Sequence, residues 1–376
     1  MSETLRAVIN VPQASPGAFF AEHREEVAKA VSRVLDSGWY ILGTEVEAFE
    51  EEFARQFDFA GAVGVGNGTD AIALALRSIG VGPGDRVATV SHTAVATVAA
   101  IEMVGGTPVF VDIVPGGYTM DPTSLLRTIE ARHPIKAVIA VHLYGHPADL
   151  PRLLEITNTF QIPMIEDCAQ CHGAKLDGRF VGSVGRIATF SFYPTKNLGA
   201  AGDGGMVACQ DAELLKRVRA SRQYGWESRY ISESAGINSR LDELQAAILR
   251  VRLPYLDEGN DRRIAIAHAY GEGLARTSLA LPTKRTGATH VYHQYVVRSS
   301  QRDHLRTQLR ELGIGTNIHY PVPVHMQPAY AGRCEADPQG LPITEGVAGE
   351  ILSLPMYPEM SDAMVANVIE ALCSLT

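Results

Sequence analysis

Near the start of the chain, apolar residues recur at helical spacing. Val27, Val31 and Val34 form one stripe over residues 21–36, and Ser37-Gly38 ends it. Val46, Phe49 and Phe53 repeat the pattern over 45–57. Past residue 60 the pattern changes. Short apolar runs at 62–65, 86–90, 107–112, 136–142 and 162–165 read as strands. Between them, 70–78, 94–104, 121–131 and 150–160 read as helices. Turn chemistry such as Gly82-Pro83-Gly84-Asp85 punctuates the alternation. Buried strands separated by helices predict βαβ units and a mainly parallel sheet.

Two more strands are predicted at 187–192 and 205–209, then helices at 212–221 and 242–253. Beyond Pro254 the rhythm differs, with a helix at 262–274, a strand at 291–297 and helices at 302–312 and 362–372. The predicted fold class is α/β. A large domain over 1–253 carries the mainly parallel sheet, and a smaller C-terminal α+β domain covers 254–376.

Composition narrows the partners. The chain has 376 residues, 46% of them hydrophobic, enough to bury a core without staples. Lys and Arg number 33 against 42 Asp and Glu, a net charge of −9, which argues against a nucleic-acid partner. A local cationic pocket for an anionic small molecule stays open. Five cysteines do not suggest a disulfide framework. The start, Met1-Ser2-Glu3-Thr4-Leu5-Arg6, is polar and lacks an export-type apolar stretch, and the apolar run at 95–106 is interrupted by Glu102. The expected address is the cytoplasm, with no membrane contact.

In an open α/β sheet, ligands collect beyond the carboxyl ends of the strands. Gly66-Asn67-Gly68-Thr69 leaves a strand and opens a helix, which suits a phosphate, and equally suits an ordinary turn capped by Thr69. Glu166-Asp167 ends a strand and places a carboxylate at the cleft or in solvent. Lys196 lies between an apolar strand and the glycines 199, 202, 204 and 205. Partial desolvation there would make it a nucleophile toward carbonyls, although most lysines are surface residues. Cys168-Ala169-Gln170-Cys171-His172 matches the haem-attachment string, but a strand end inside an α/β domain is a poor place to thread a haem. Two small buried cysteines are the better interpretation, and no metal site is expected.

Together these pieces carry a resemblance. Gly43-Thr44-Glu45-Val46-Glu47-Ala48-Phe49-Glu50, Asn67-Gly68-Thr69-Asp70-Ala71, Ser91-His92-Thr93-Ala94-Val95-Ala96-Thr97 and His142-Leu143-Tyr144-Gly145 come first. Glu166-Asp167-Cys168-Ala169-Gln170, Ser191-Phe192-Tyr193-Pro194-Thr195-Lys196-Asn197, Gly236-Ile237-Asn238-Ser239-Arg240 and Ile318-His319-Tyr320-Pro321 follow. In order and spacing the chain resembles the DegT/DnrJ/EryC1/StrS sugar aminotransferases, which use pyridoxal phosphate on the type I aminotransferase fold.

The resemblance implies roles. Lys196 would form the Schiff base, Asp167 would pair with the pyridinium nitrogen, and Gln170 would sit near the ring hydroxyl. Gly68, Thr69 and Ser191 would hold the phosphate, and Asn238 would reach the phosphate of a neighbouring subunit in a homodimer with shared active sites. Trp39, Tyr40, Arg222, Arg240, His319 and Tyr320 are candidate substrate contacts. The implied reaction moves an amino group from an amino acid, commonly L-glutamate, through pyridoxamine phosphate to a keto group of a nucleotide-linked deoxysugar at C3 or C4. The family usually stacks an aromatic residue on the ring where this chain has Ala94; His92 is the candidate substitute, unless it is a polar loop residue. Alternatives are a sugar dehydratase, whose members carry His at the Lys196 position, and a non-catalytic regulatory homologue.

Overall fold

Runs of small and β-branched residues, apolar on both faces, form the central strands, as fits a sheet covered on both sides. They are β1 (Gly61–Val65), β2 (Arg86–Val90), β3 (Thr107–Val111), β4 (Ala137–Val141), β5 (Met164–Asp167), β6 (Ile187–Ser191) and β7 (Gly205–Cys209). A short β8 (Glu335–Ala336) completes the sheet. The computed structural model describes residues 10–132 and 134–376; the polar start at residues 1–6 lies outside the described residues.

The eight strands order as β1-β7-β6-β5-β4-β2-β3-β8. All neighbours pair in parallel except β7, which runs antiparallel to both β1 and β6. The type I aminotransferase class expected from the sequence fits this mainly parallel sheet. Helices cover the sheet, and Phe49, Phe53, Phe190 and Phe192 fill one end of its core.

Local chemistry sets the helix ends. Asn67, not Thr69, caps helix Gly68–Ser78: its Oδ1 accepts the Asp70 N–H at 2.8 Å. The helix expected at 21–36 is two helices, Ala18–Glu22 and Arg24–Ser37, broken at His23, whose ring stacks on Phe19. Gly38 ends the second with φ 66°, a left-handed conformation that favours glycine.

A second apolar core lies beyond residue 253. Helices Leu256–Gly273, Arg302–Glu311 and Asp362–Leu375 pack on an antiparallel pair, Tyr295–Arg298 with Ile351–Leu354. The first of these helices begins before the expected 262, because Leu253–Tyr255 forms a 3₁₀ turn that leads directly into it. The strand expected at 291–297 shortens to Tyr295–Arg298. Val291 and His293 are drawn to the large unit instead: the Val291 N–H donates to the Gly145 carbonyl, and Asn197 Nδ2 donates to the Val291 carbonyl. Two segments cross between the units. Val11 bridges Ile314 and joins the second core, while Glu335–Ala336 pairs with β3. Among the described residues no helix is long and apolar enough to cross a membrane.

Candidate active site

A cavity of about 240 Å³ opens at the carboxyl ends of β1, β4, β5 and β6. Its walls carry Gly68, Thr69, Asp167, Gln170, Ser191 and Lys196, and also Ala94 and Thr97.

The acidic pair at the end of β5 divides by strand geometry, since successive side chains point to opposite faces. Glu166 points away from the cavity and is buried on His142 Nε2 at 3.0 Å and on the N–H groups of Gly182 at 2.7 Å and Val184 at 2.9 Å. Burial pushes its carboxyl up, but His142 and the backbone amides outweigh burial and hold it below the ordinary range. His142 Nδ1 accepts the Ala148 N–H at 3.0 Å, so Nε2 carries the proton toward Glu166. His142, Glu166 and Cys168 lie close enough to share an ion, but a protonated Nε2 and an already saturated carboxylate make them a polar brace instead.

Asp167 faces the cavity. Its Oδ2 accepts from Thr97 Oγ1 at 2.9 Å and its Oδ1 from the Ala169 N–H at 3.2 Å. Burial raises this carboxyl above its ordinary value, against the pull of Ala169, Thr97 and the Lys196 charge. Lys196 stands in the loop between β6 and β7. Burial lowers its amine to about 8, and the facing Asp167 limits the drop. Gln170 is fixed at both ends of its amide: Oε1 accepts the Tyr144 N–H at 2.7 Å, and Nε2 donates to Tyr320 Oη at 3.3 Å.

The anion end of the cavity is built by close approach. A Cβ added to Gly68 would lie 2.7 Å from Ser191 Cβ, and one added to Gly205 would lie 2.4 Å from the Asn67 carbonyl oxygen. Glycine at both positions lets the N-terminus of helix Gly68–Ser78 meet the end of β6, with Thr69 and Ser191 hydroxyls on the rim.

This layout is matched elsewhere. The profile of the DegT/DnrJ/EryC1/StrS aminotransferase family matches residues 21–373. The chain belongs to that family. A dTDP-3-amino-3,4,6-trideoxy-alpha-D-glucose transaminase of Streptomyces venezuelae is 47% identical over 363 residues, 96% of this chain and 95% of that one. A UDP-N-acetyl-3-dehydro-alpha-D-glucosamine 3-aminotransferase of Acidithiobacillus ferrooxidans is 42% identical over 358 residues, 95% of this chain and 96% of that one. The crystal structure of S. venezuelae DesV in complex with a ketimine intermediate aligns with TM-score 0.94 at 45% identity, over 97% of this chain and 98% of that one.

Members of the DegT/DnrJ/EryC1/StrS family take pyridoxal phosphate, and the donor set fits it. A carboxylate, a desolvated amine and a glycine-lined helix N-terminus stand at one cavity, matching a pyridinium, an aldehyde and a phosphate.

The remaining sequence candidates separate. Tyr320 reaches the site through Gln170, and its phenol is pushed up to about 12 by burial. His319 shares a hydrogen bond with Ser353 Oγ at 2.9 Å, and its carbonyl accepts from Tyr144 Oη. Arg222 is not free to bind substrate. It is buried, with Nη1 donating to Glu50 Oε1 and, at 2.7 Å, to the Gly64 carbonyl. Trp39 and Tyr40 are 64% and 51% exposed and lie outside this cavity, as does exposed Asn238, which bridges Gln223. Arg240 is half-buried beside Ser239, whose hydroxyl ties the Gly66 N–H to Asp70.

Ala94 presents only a methyl group to the cavity. His92 does not replace the missing ring: its Nε2 is hydrogen-bonded to Tyr144 Oη at 2.9 Å, and burial lowers it to about 4. Nor can the haem string thread a haem. Cys168 and Cys171 are buried, and the His172 ring is sandwiched near Phe190 and Phe192. Thr97 and Tyr144 were not singled out from sequence; both sat inside quoted motifs, but their partners are distant along the chain.

Proposed function

We propose that this protein transfers an amino group from an amino-acid donor, L-glutamate, to the C3 or C4 keto carbon of a nucleotide-linked deoxysugar. The observation that carries it is the meeting of Lys196, Asp167 and the Gly68–Ser191 cradle in one cavity. The 3-amino-sugar activities named for the relatives favour C3.

Pyridoxal phosphate, when bound, supplies the electron sink for the α-carbon's charge. The chain does the rest. The free N–H groups at the start of helix Gly68–Ser78, with the Thr69 and Ser191 hydroxyls beside them, would hold the phosphate and so anchor the cofactor independently of Lys196. Asp167 holds the proton on the pyridine nitrogen, and Thr97 and the Ala169 N–H keep that carboxylate aimed. Gln170, clamped by Tyr144 and Tyr320, presents its amide near the ring hydroxyl. The Lys196 amine, poised near 8, would take a proton from the donor's α-carbon and return it at the cofactor's former aldehyde carbon, as base and then acid. The sugar half-reaction runs the same transfers in reverse.

The working unit we propose is a homodimer. Exposed Trp39, Tyr40 and Asn238, unused in their own cavity, are available to a partner's site. The proposed division is a large domain over 1–253 and a small one over 254–376, supported by the two separate apolar cores. The proposed address is the cytoplasm, where free cysteines stay reduced. Lysine rather than histidine at position 196 favours transamination over dehydration.

The test is a panel of nucleotide-linked 3-keto and 4-keto sugars, each incubated with the enzyme and L-glutamate and read by mass. Conversion of a keto sugar to its amine is the expected result. Absence of any amine product across both sets would remove this function.

A further inference from the structure

A second cavity of about 220 Å³ is lined by both units, with Tyr144 on its wall and Lys196 outside it. Loop 114–119 forms one wall and segment 282–296 of the second unit forms the other. Its body is apolar, with Val114, Pro115, Pro282 and Val296, and the rings of Tyr118 and Tyr144 meet edge to face at 4.9 Å.

The polar atoms around it are unbalanced. His146 Nε2 accepts the Arg285 N–H at 3.0 Å, which leaves Nδ1–H as a donor on a ring that burial keeps neutral, near 4. Gln294, only 6% exposed, has its Oε1 occupied by Gln13 Nε2 at 2.6 Å, leaving its NH₂ as the free end. His290 offers no spare donor: its Nδ1 accepts the Tyr292 N–H at 3.1 Å, and its ring is also hydrogen-bonded to the Gly145 backbone. Asp149, the one acid on the walls, is paired with Arg285. Lys284 stands at the same cavity with no ion-pair partner among the described residues. The acceptors named here are therefore consumed within the protein, while the His146 N–H, the Gln294 amide N–H groups and the Lys284 ammonium remain as donors.

We propose that this cavity binds a small organic carboxylate, its charge met by Lys284 and the Gln294 amide and its body lying against Tyr118 and Tyr144. A donor-rich apolar chamber is satisfied by an acceptor that carries hydrophobic surface. The same ligand would brace Tyr144, whose N–H fixes Gln170 in the neighbouring cavity.

The probe is benzoate, which has a flat apolar body and no amine to enter transamination. Calorimetric titration of the holoenzyme is run before and after capping with aminooxyacetate, which consumes the cofactor aldehyde and places its own carboxylate in the Lys196 cavity. One-site binding is expected to survive capping and to weaken by about tenfold in Lys284→Glu, the size of one lost charge-assisted contact. Lys284 is exposed, so that variant keeps its fold and its melting temperature. No binding, binding abolished by capping, or an affinity unchanged in Lys284→Glu would each overturn the site.

Discussion

The Thr97 hydroxyl donates to Asp167 Oδ2 across 2.9 Å, and both groups are buried. Asp167 already titrates above its ordinary value because of burial, and Thr97 is one of the few groups pulling it back. Thr97→Val therefore pushes the carboxyl further up and leaves it less ionised at any given pH. Turnover is expected to fall by roughly tenfold to a hundredfold, from ~1.5–3 kcal/mol for a hydrogen bond to a charged group. The deficit grows as pH falls, and Thr97→Ser restores activity. A pH–rate profile of both variants checks this.

Lys196→Ala removes the amine that would hold the cofactor and move the proton. Expected are loss of turnover and loss of the cofactor's Schiff-base absorbance band, with folding retained by circular dichroism. Turnover persisting at the wild-type rate would assign the chemistry to another residue.

The Lys196 amine also sets a pH dependence in cofactor-free protein. Its value is lowered from 10.5 to about 8 by burial, so below 8 it is the ammonium ion and unreactive toward an aldehyde. The rate of pyridoxal phosphate uptake should climb about tenfold per pH unit up to that point and then level off. The unfolded chain keeps this proton up to its higher value, so the lysine's contribution makes the folded state gain stability as pH rises from about 8 to 10.5. Stopped-flow absorbance across this range checks the rate, and a rate still climbing near 10 would contradict the desolvated amine.

Arg222→Met breaks a buried ion pair with Glu50 and leaves that carboxylate only the Gly64 N–H and a longer contact, 3.8 Å, to Arg219. The expected cost is about 3–5 kcal/mol of stability. Chemical denaturation reads it directly. Below the melting transition the KM for the sugar should stay unchanged, because the guanidinium faces Gly64 and not the cavity.

Gly68→Ala places a methyl 2.7 Å from Ser191 Cβ, where the helix must meet β6. The cradle has to widen, and phosphate contacts loosen with it. Cofactor affinity, measured by ultrafiltration, should fall at least about tenfold, the scale of one impaired charge-assisted hydrogen bond.

Much of the large unit was legible in the sequence, because strands buried on both faces are written as unbroken apolar runs. Gly205–Cys209 was visible in this way, but its antiparallel direction was not, since a continuously apolar run carries no arrow. Glu335–Ala336 was missed because two residues have no period. At the site, Asp167, Gln170 and Lys196 stood in recognisable strings and meet in one cavity. Arg222 misled because an arginine in sequence reads as exposed, and its partner Glu50 lies 172 positions away. For His92 the sequence left two readings open, and only the fold shows that Tyr144 holds its ring.

The antiparallel turn of the sheet has a mechanical outcome. Ser191 and Gly205 are facing partners on adjacent strands, so the thirteen-residue excursion between them starts and finishes at one rung. Lys196 rides on that excursion, while Ser191 is part of the rung. Lengthening or reshaping the loop can thus re-aim the amine for a different sugar without shifting the anion's seat, which gives sequence variation a place to alter specificity at little cost to cofactor retention.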